Sequence, residues 1–147
     1  MAQRETSTRV PPEISRIRTL RLPTSTDPRG ALTAVEGGSD IPFEIKRVFY
    51  MWGVQAPFER GKHAHTDTEQ ILVCVAGSLS IDFSDPLSSG TFHLSDPTEG
   101  LYVPPMIWTF LYDFTPQTVC LAVASTHYDH SKVIRSWDDY VRLANGF

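Results

Sequence analysis

Apolar and polar positions alternate along much of this chain in short stretches, which is the pattern of half-buried β-strands. In the stretch 78–84, Leu79, Ile81 and Phe83 share one parity and polar residues occupy the other. The longer apolar run at 71–76 is typical of a buried strand. Glycine, proline and aspartate separate such stretches, and we predict strands at 17–22, 31–36, 45–54, 62–76, 78–84, 91–94, 100–103, 107–113 and 118–125.

One segment near the end of the chain has helical periodicity instead. Residues 131–143 place Val133, Ile134, Trp137, Tyr140 and Val141 at helical spacing, and Ser131 is a suitable N-cap. Residues 1–14 are predicted to form a flexible N-terminal arm, and residues 15–147 a single domain. Many short strands separated by turns, with one short C-terminal helix, indicate an all-β barrel or jelly roll.

Composition narrows the class of protein. The chain has 147 residues, enough for one domain with a core, and a net charge of −4 without a basic stripe, which argues against a nucleic-acid partner. No stretch of about 18 apolar residues predicts a membrane span, so we expect no membrane partner and a cytoplasmic protein. Cys74 and Cys120 lie in apolar runs and are predicted to be buried thiols.

The candidate chemistry is concentrated in the run Arg60-Gly61-Lys62-His63-Ala64-His65, followed by Glu69. Side chains alternate along a strand, so His63 and His65 share one face, and Glu69 has the same parity if the strand is unbroken. Two adjacent imidazoles can hold a metal ion or transfer protons near neutral pH. For proton transfer, Arg60 could stabilise an oxyanion or hold a phosphate.

The metal interpretation depends on a further ligand. The HxH-x3-E spacing resembles the first half of the cupin metal signature, whose second half supplies another histidine from a later strand. Thr109 stands at the matching position, and threonine is a poor ligand for a soft or borderline metal. Two histidines and Glu69 could still form an open three-ligand site, so a metal-dependent cupin enzyme stays an alternative.

Five segments together resemble the sugar-nucleotide 3,4-ketoisomerases, small cupins that act on dTDP-4-oxo-6-deoxyglucose. They occur in the family order along residues 27 to 135. The segments are 27–32 with Glu36, 42–50, 60–65 with Glu69, 100–105 continuing to Trp108 and Tyr112, and 124–125 continuing through Tyr128-Asp129 to Ile134-Arg135. This resemblance implies a double-stranded β-helix (cupin jelly roll) that forms a homodimer with exchanged N-terminal strands.

The resemblance also implies the site and the reaction. His63 and His65 would be the catalytic pair, with Tyr50 and Arg60 lining the pocket and neither metal nor cofactor required. The candidates for binding the dTDP-linked keto sugar are Arg29, Arg47, Glu69, Tyr102 and Trp108. A histidine would move a proton between C3 and C4 through an enediolate. Thr109-Phe110 departs from the His-Glu that many members carry, which keeps a non-catalytic sugar-nucleotide binding cupin as a further alternative.

Overall fold

The computed structural model describes residues 12–146, which form a β-sandwich with one α-helix. In chain order the strands are β1 Arg18–Arg21, β2 Thr24–Asp27, β3 Gly30–Thr33, β4 Arg47–Trp52, β5 Arg60–His65, β6 Gln70–Ala76, β7 Leu79–Ser84, β8 Ser89–Leu94, β9 Glu99–Val103, β10 Trp108–Tyr112, β11 Val119–Ala124 and β12 Val133–Ile134. The helix α1 spans Trp137–Ala144. Short 3₁₀ turns occupy Ile14–Arg16 and His130–Lys132.

Two five-stranded antiparallel sheets face each other. The first has the order β1-β9-β6-β11-β4 and the second the order β12-β5-β10-β7-β8. From β4 onward the chain passes repeatedly between the two sheets, which is the topology of a double-stranded β-helix. The predicted all-β jelly roll with a short C-terminal helix is therefore confirmed.

The main core lies between the two sheets and follows the predicted alternation. Leu79 and Ile81 point inward from the second sheet and meet Leu72 and Cys74 of the first, and all four are buried. Fully burying a leucine or isoleucine side chain contributes roughly 1.5–3 kcal/mol, so these inward positions hold the sheets together. Cys74 lies opposite Cys120 in the register of β6 and β11, and both thiols are buried, as predicted.

The prediction of one continuous strand at 62–76 is wrong, because the structure divides this stretch into two strands. β5 ends at His65 in the second sheet and β6 begins at Gln70 in the first, so residues 66–69 cross between the sheets. In this crossing, the Thr66 amide donates to the Lys132 carbonyl. The parity argument that joined Glu69 to the histidines does not extend across this break.

The helix predicted at 131–143 begins six residues later. Ser131 lies in a 3₁₀ turn, where its amide donates to the Asp129 carboxylate, and Ser136 caps α1 by accepting from the Asp139 amide. Val133 and Ile134 form β12 instead, paired with His65 and Ala64 of β5. Two β-branched residues fit this extended edge, and the pairing satisfies backbone groups of β5.

The hairpin formed by β2 and β3 is a separate two-stranded sheet, almost wholly exposed to solvent, and a turn at 28–29 connects its strands. Residues 1–11 of the predicted N-terminal arm lie outside the described residues. Within the rest of that predicted arm, Pro12 is buried and the Ile14 amide donates to the Asp85 carboxylate at 2.8 Å. No helix in residues 12–146 is long and apolar enough to cross a membrane.

Candidate functional site

His63 and His65 project from the inner face of β5 into one cavity. Their ring centroids are 4.9 Å apart and the ring planes are nearly perpendicular, at 89°. The cavity has a volume of about 360 Å³. Its lining residues are Arg47, Phe49, His63, His65, Tyr128, Val133 and Arg135. Ala64, between the two histidines, points to the other side of the sheet and packs near α1, as strand alternation requires.

A β-bulge at the start of β5 sets the direction of His63. Thr109 pairs with His63 and Phe110 pairs with Gly61, so Lys62 is the extra residue. Gly61 and Lys62 both have positive φ, 98° and 60°. A bulge re-aims the side chains that follow it, and glycine adopts this backbone without steric cost. Local backbone geometry therefore aims His63 into the cavity.

Burial keeps both imidazoles in their neutral form at neutral pH. The pKa of His65 is lowered to about 4, mainly by burial and further by the nearby His63, Arg47 and Arg135. Burial also lowers the pKa of His63; a backbone hydrogen bond with Gly61 opposes this, and the charges of Arg135 and Arg60 add to it. A neutral imidazole can accept a proton, so both histidines are available as bases.

The lowered pKa of His65 predicts that acid destabilises the fold. The unfolded chain binds a proton at this imidazole below about pH 6.5, whereas the native protein keeps it neutral to about pH 4. Acidification through this range favours unfolding, by up to about 3 kcal/mol at pH 4. Urea unfolding between pH 7.5 and pH 4.5 should show a steeper loss of stability for the wild type than for His65→Asn. Equal pH dependence in both proteins would contradict the prediction.

Two arginines give the cavity a positive charge. Arg47 and Arg135 line it, and among the described residues no aspartate or glutamate does. The Nε atom of Arg47 is buried without a hydrogen-bond partner, and the Arg47 guanidinium lies 5.3 Å from the ring centroids of both Phe49 and Tyr128. A buried, unpaired donor of this kind is costly unless a ligand satisfies it. The cavity is therefore suited to an anionic ligand.

Tyr50 and Arg60 line a neighbouring cavity of about 470 Å³ rather than the histidine cavity. Tyr50 has the outward parity of β4, whereas Arg47 and Phe49 have the inward parity, and 62% of Tyr50 is exposed. Trp52 and Phe58 also line this second cavity. Arg60 and His63 nevertheless belong to the same strand, β5, so the two cavities are close together, and the charge of Arg60 lowers the pKa of His63.

Glu69 and Tyr102 do not line the histidine cavity. The Tyr102 hydroxyl donates to the Glu69 carboxylate at 2.7 Å, and the Tyr102 ring packs in the outer cluster with Leu22 and Phe43. Burial and this hydrogen bond raise the pKa of Tyr102 to about 12. Within residues 12–146, no three His, Cys, Asp or Glu side chains form a metal-binding group. The HxH-x3-E spacing thus does not produce a three-ligand cluster.

Trp108 and Arg29 are also separated from the histidine cavity. Trp108 is on the outer face of β10, where its ring contacts Trp137 and Tyr140 at centroid distances of 5.5 Å and 5.7 Å. The interior position beside it belongs to Thr109, which is paired with His63. Arg29 is at the tip of the β2–β3 hairpin, ion-paired with Asp27 at 2.6 Å, and its side chain is 90% exposed.

The residues that complete the cavity were not singled out as site residues by the sequence. Phe49, Tyr128, Val133 and Arg135 are separated from the HxH run in the chain and reach it only through strand pairing and loop folding. The sequence feature that could have identified them was the last of the five segments that resemble the family, which contains Tyr128 and Arg135. Periodicity alone predicted a helix over part of that segment and therefore hid its proximity to β5.

Comparison with known proteins shows the family to which the chain is similar. Residues 15–145 match the family model described as FdtA: WxcM-like, C-terminal. A TDP-4-oxo-6-deoxy-alpha-D-glucose-3,4-oxoisomerase from Aneurinibacillus thermoaerophilus is 40% identical over 114 residues, covering 78% of this chain and 82% of the relative.

Solved structures extend the similarity to the whole fold. The sugar 3,4-ketoisomerase QdtA from Thermoanaerobacterium thermosaccharolyticum, in complex with TDP, superposes with a TM-score of 0.88 at 36% identity, covering 91% of this chain and 98% of that one. The WlaRB TDP-quinovose 3,4-ketoisomerase from Campylobacter jejuni gives a TM-score of 0.84 at 36% identity, covering 88% and 99%. Each of these proteins shares the fold across nearly its full length.

Proposed function

Because this chain belongs to the FdtA, WxcM-like family of sugar-nucleotide 3,4-ketoisomerases, we propose that it converts TDP-4-keto-6-deoxyglucose to a TDP-3-keto-6-deoxyhexose. The observation that carries the proposal is the pair of neutral imidazoles, His63 and His65, beside two arginines. Neutral bases next to fixed positive charge suit proton abstraction from carbon, since the product of that step is an anion.

The reaction moves two protons and needs no external oxidant. The 4-ketone acidifies the hydrogen on C3, and a histidine removes it as a proton, which gives an enediolate with negative charge on O4. O4 then gains a proton, O3 loses one, and a proton is delivered to C4. The C4 carbonyl has become an alcohol and the C3 alcohol a ketone, so atoms and electrons balance within the substrate.

We assign the two histidines as the acid–base pair because both reach the same cavity at 4.9 Å from each other. This separation suits proton transfer at two adjacent carbons and their oxygens. The cavity of about 360 Å³ can hold the hexose ring, and the nucleotide requires more room. The neighbouring cavity offers that room on its Arg60 side, and a partner subunit on the outward face of β4 would close its Tyr50 side. We assign Arg47, whose buried Nε atom has no hydrogen-bond partner, as a donor to an anionic oxygen of the diphosphate.

Proton exchange in D₂O tests the function directly. Incubating the protein with TDP-4-keto-6-deoxyglucose in D₂O should give a 3-keto product by NMR, with deuterium at C4 and loss of the C3 proton signal. The same reaction after treatment with a chelator should proceed at an unchanged rate. TDP binding without exchange would instead identify a non-catalytic binding protein, and loss of turnover on chelation a metal-dependent enzyme.

We further propose a homodimer that covers the outward face of β4. Val48, Tyr50 and Trp52 are 55%, 62% and 71% exposed on this face, an apolar patch unusual for a solvated edge strand. The β2–β3 hairpin is exposed as well, and an isolated two-stranded hairpin is only marginally stable in water, so it requires a packing partner. A second copy of this chain would cover both, and an exchanged hairpin would carry Arg29 toward the partner's substrate.

Replacing Trp52 by aspartate tests this interface. We expect wild-type protein to sediment as a dimer at micromolar concentration and Trp52→Asp to sediment as a monomer, because burying an unpaired charge opposes association. Leu87→Asp is the matched control, since Leu87 is 96% exposed and lies in the turn between β7 and β8. A monomeric wild type, or a monomeric Leu87→Asp protein, would contradict the proposed interface.

A further inference from the structure

We infer that Arg135 is a catalytic residue, whose guanidinium stabilises the oxygens of the enediolate between His63 and His65. This inference rests on the proposed function and adds to it the group that neutralises the intermediate. Arg60, which the sequence suggested for this task, lines the neighbouring cavity, whereas Arg135 lines the histidine cavity itself.

Arg135 lines the same cavity as His63 and follows directly after β12, the strand that pairs with β5. Val133 pairs with His65 and Ile134 pairs with Ala64 in the antiparallel β12–β5 ladder. β12 ends at Ile134, and continuing the same register by one residue would bring Arg135 opposite His63. Directly opposite residues of antiparallel strands have side chains on the same face, about 4.5–5.5 Å apart at Cβ. Arg135 and Val133 therefore face inward with the two histidines, while Ile134 faces α1.

The position of the charge agrees with this register. Of the three arginines near the site, Arg47 lowers the pKa of His65 and Arg60 lowers that of His63, whereas Arg135 lowers both. Coulomb interactions weaken with distance, so the Arg135 charge is close to both imidazoles, as expected for a residue that lines the same cavity. A C3–C4 enediolate bound in this cavity would develop its negative charge within reach of Arg135.

The guanidinium group has the right donor geometry for this intermediate. A cis-enediolate carries two neighbouring oxygens, and the planar fork of arginine can donate two parallel hydrogen bonds. Among the described residues no carboxylate is ion-paired with Arg135, so its donors are available to substrate. Its exposed side chain lies at the mouth of the cavity, where bound substrate would exclude water from it.

The backbone that carries Arg135 is held firmly. Ile134 is 8% exposed and packs in the cluster that contains Ala64 and Tyr140. On the other side, the Lys132 carbonyl accepts from the Thr66 amide at 2.9 Å. Preorganised donors stabilise developing charge best because they need not be reoriented during the reaction. The short β12 strand thus has a function in positioning Arg135 as well as in closing the sheet edge.

Arg135→Gln and Arg135→Lys test the inference. We expect Arg135→Gln to lower kcat and the rate of C3 proton exchange by about 10²–10³-fold, the loss typical of removing an oxyanion donor. Arg135→Lys keeps the charge without the fork and should recover part of this loss. TDP affinity, measured by calorimetry, should change by less than about threefold because TDP lacks the enediolate. Arg142→Gln, on α1, is the matched control and should retain wild-type kcat.

The outcomes of these measurements distinguish a catalytic role of Arg135 from diphosphate binding and from no role in the reaction. Unchanged kcat in a folded Arg135→Gln protein would overturn the inference while leaving the proposed function intact. Lost TDP affinity with unchanged kcat would also overturn it and would make Arg135 a diphosphate ligand. A wild-type protein without any proton exchange would overturn the proposed function and this inference with it. Circular dichroism and thermal unfolding of each variant establish that the fold is retained.

Discussion

Replacing His65 or His63 by asparagine is expected to reduce turnover by about 10²–10⁴-fold, because a general acid or base is removed while the cavity is preserved. Both imidazoles are neutral at neutral pH and line the same cavity, so neither variant removes a charge or an ion pair from the resting site. The two variants should also stop deuterium incorporation from solvent. Single-turnover NMR in D₂O measures both effects.

A third histidine provides the control. His93 is exposed on β8, where its ring nitrogen is 3.3 Å from the Ser80 hydroxyl, and it does not line the histidine cavity. His93→Asn should therefore retain wild-type turnover. If His63→Asn and His65→Asn both exchanged the C3 proton at wild-type rate, the assignment of the acid–base pair would be wrong. A difference in exchange between them would show which histidine takes the first proton.

Gly61→Ala is expected to reduce kcat by about 10²-fold although it adds only one methyl group. Gly61 has φ of +98°, and a Cβ atom there would lie 2.9 Å from the Thr109 carbonyl oxygen and 3.0 Å from the Phe110 Cα. Both neighbours are backbone atoms, so the bulge itself must shift, and His63 follows it two residues later. A displacement of about 1 Å at a catalytic group can cost about 10²-fold in rate.

Gly38→Ala is the matched control for backbone strain. Gly38 also has positive φ, +73°, but no atom lies within 4 Å of a Cβ built there. Both variants should lose stability from the left-handed backbone, by about 1–2 kcal/mol. Only Gly61→Ala should lose turnover. Equal kcat in the two variants, at a temperature where both are folded, would show that the bulge does not position His63.

The local alternation of side chains predicted only the part of the site that lies on a single strand. Alternation predicted that His63 and His65 share a face, and the structure places both in one cavity. The same argument from alternation did not apply to Glu69, because residues 66–69 cross from one sheet to the other. Odd and even positions indicate a shared face only within one unbroken strand. Tyr50 on β4 and Trp108 on β10 point away from the histidine cavity. Their direction depends on which face of each strand is covered by the other sheet, and local alternation does not give that information.

Strand pairing between segments that are distant in the chain determined which other residues line the cavity. Val133 and Ile134 have helical spacing with α1, yet hydrogen bonding to β5 makes them a strand. A helix of these residues would have left the edge of β5 unpaired and Arg135 on a different surface. Local propensity is weak compared with satisfying a sheet edge and burying Ile134, so tertiary context prevailed.

The sequence by itself determined the strand-rich jelly roll, the buried core and the shared face of the two histidines. Each of these depends on side-chain periodicity within a single element, and burial of apolar surface enforces that periodicity. Apart from Arg47, which the family resemblance had already named, the tertiary structure alone decided which residues surround the histidines. Arg47 and Arg135 reach the cavity through strands that are far apart in the chain, and the loss of solvent around His65 lowers its pKa to about 4. Burial and long-range pairing are properties of the assembled sheets, so no local pattern contains them.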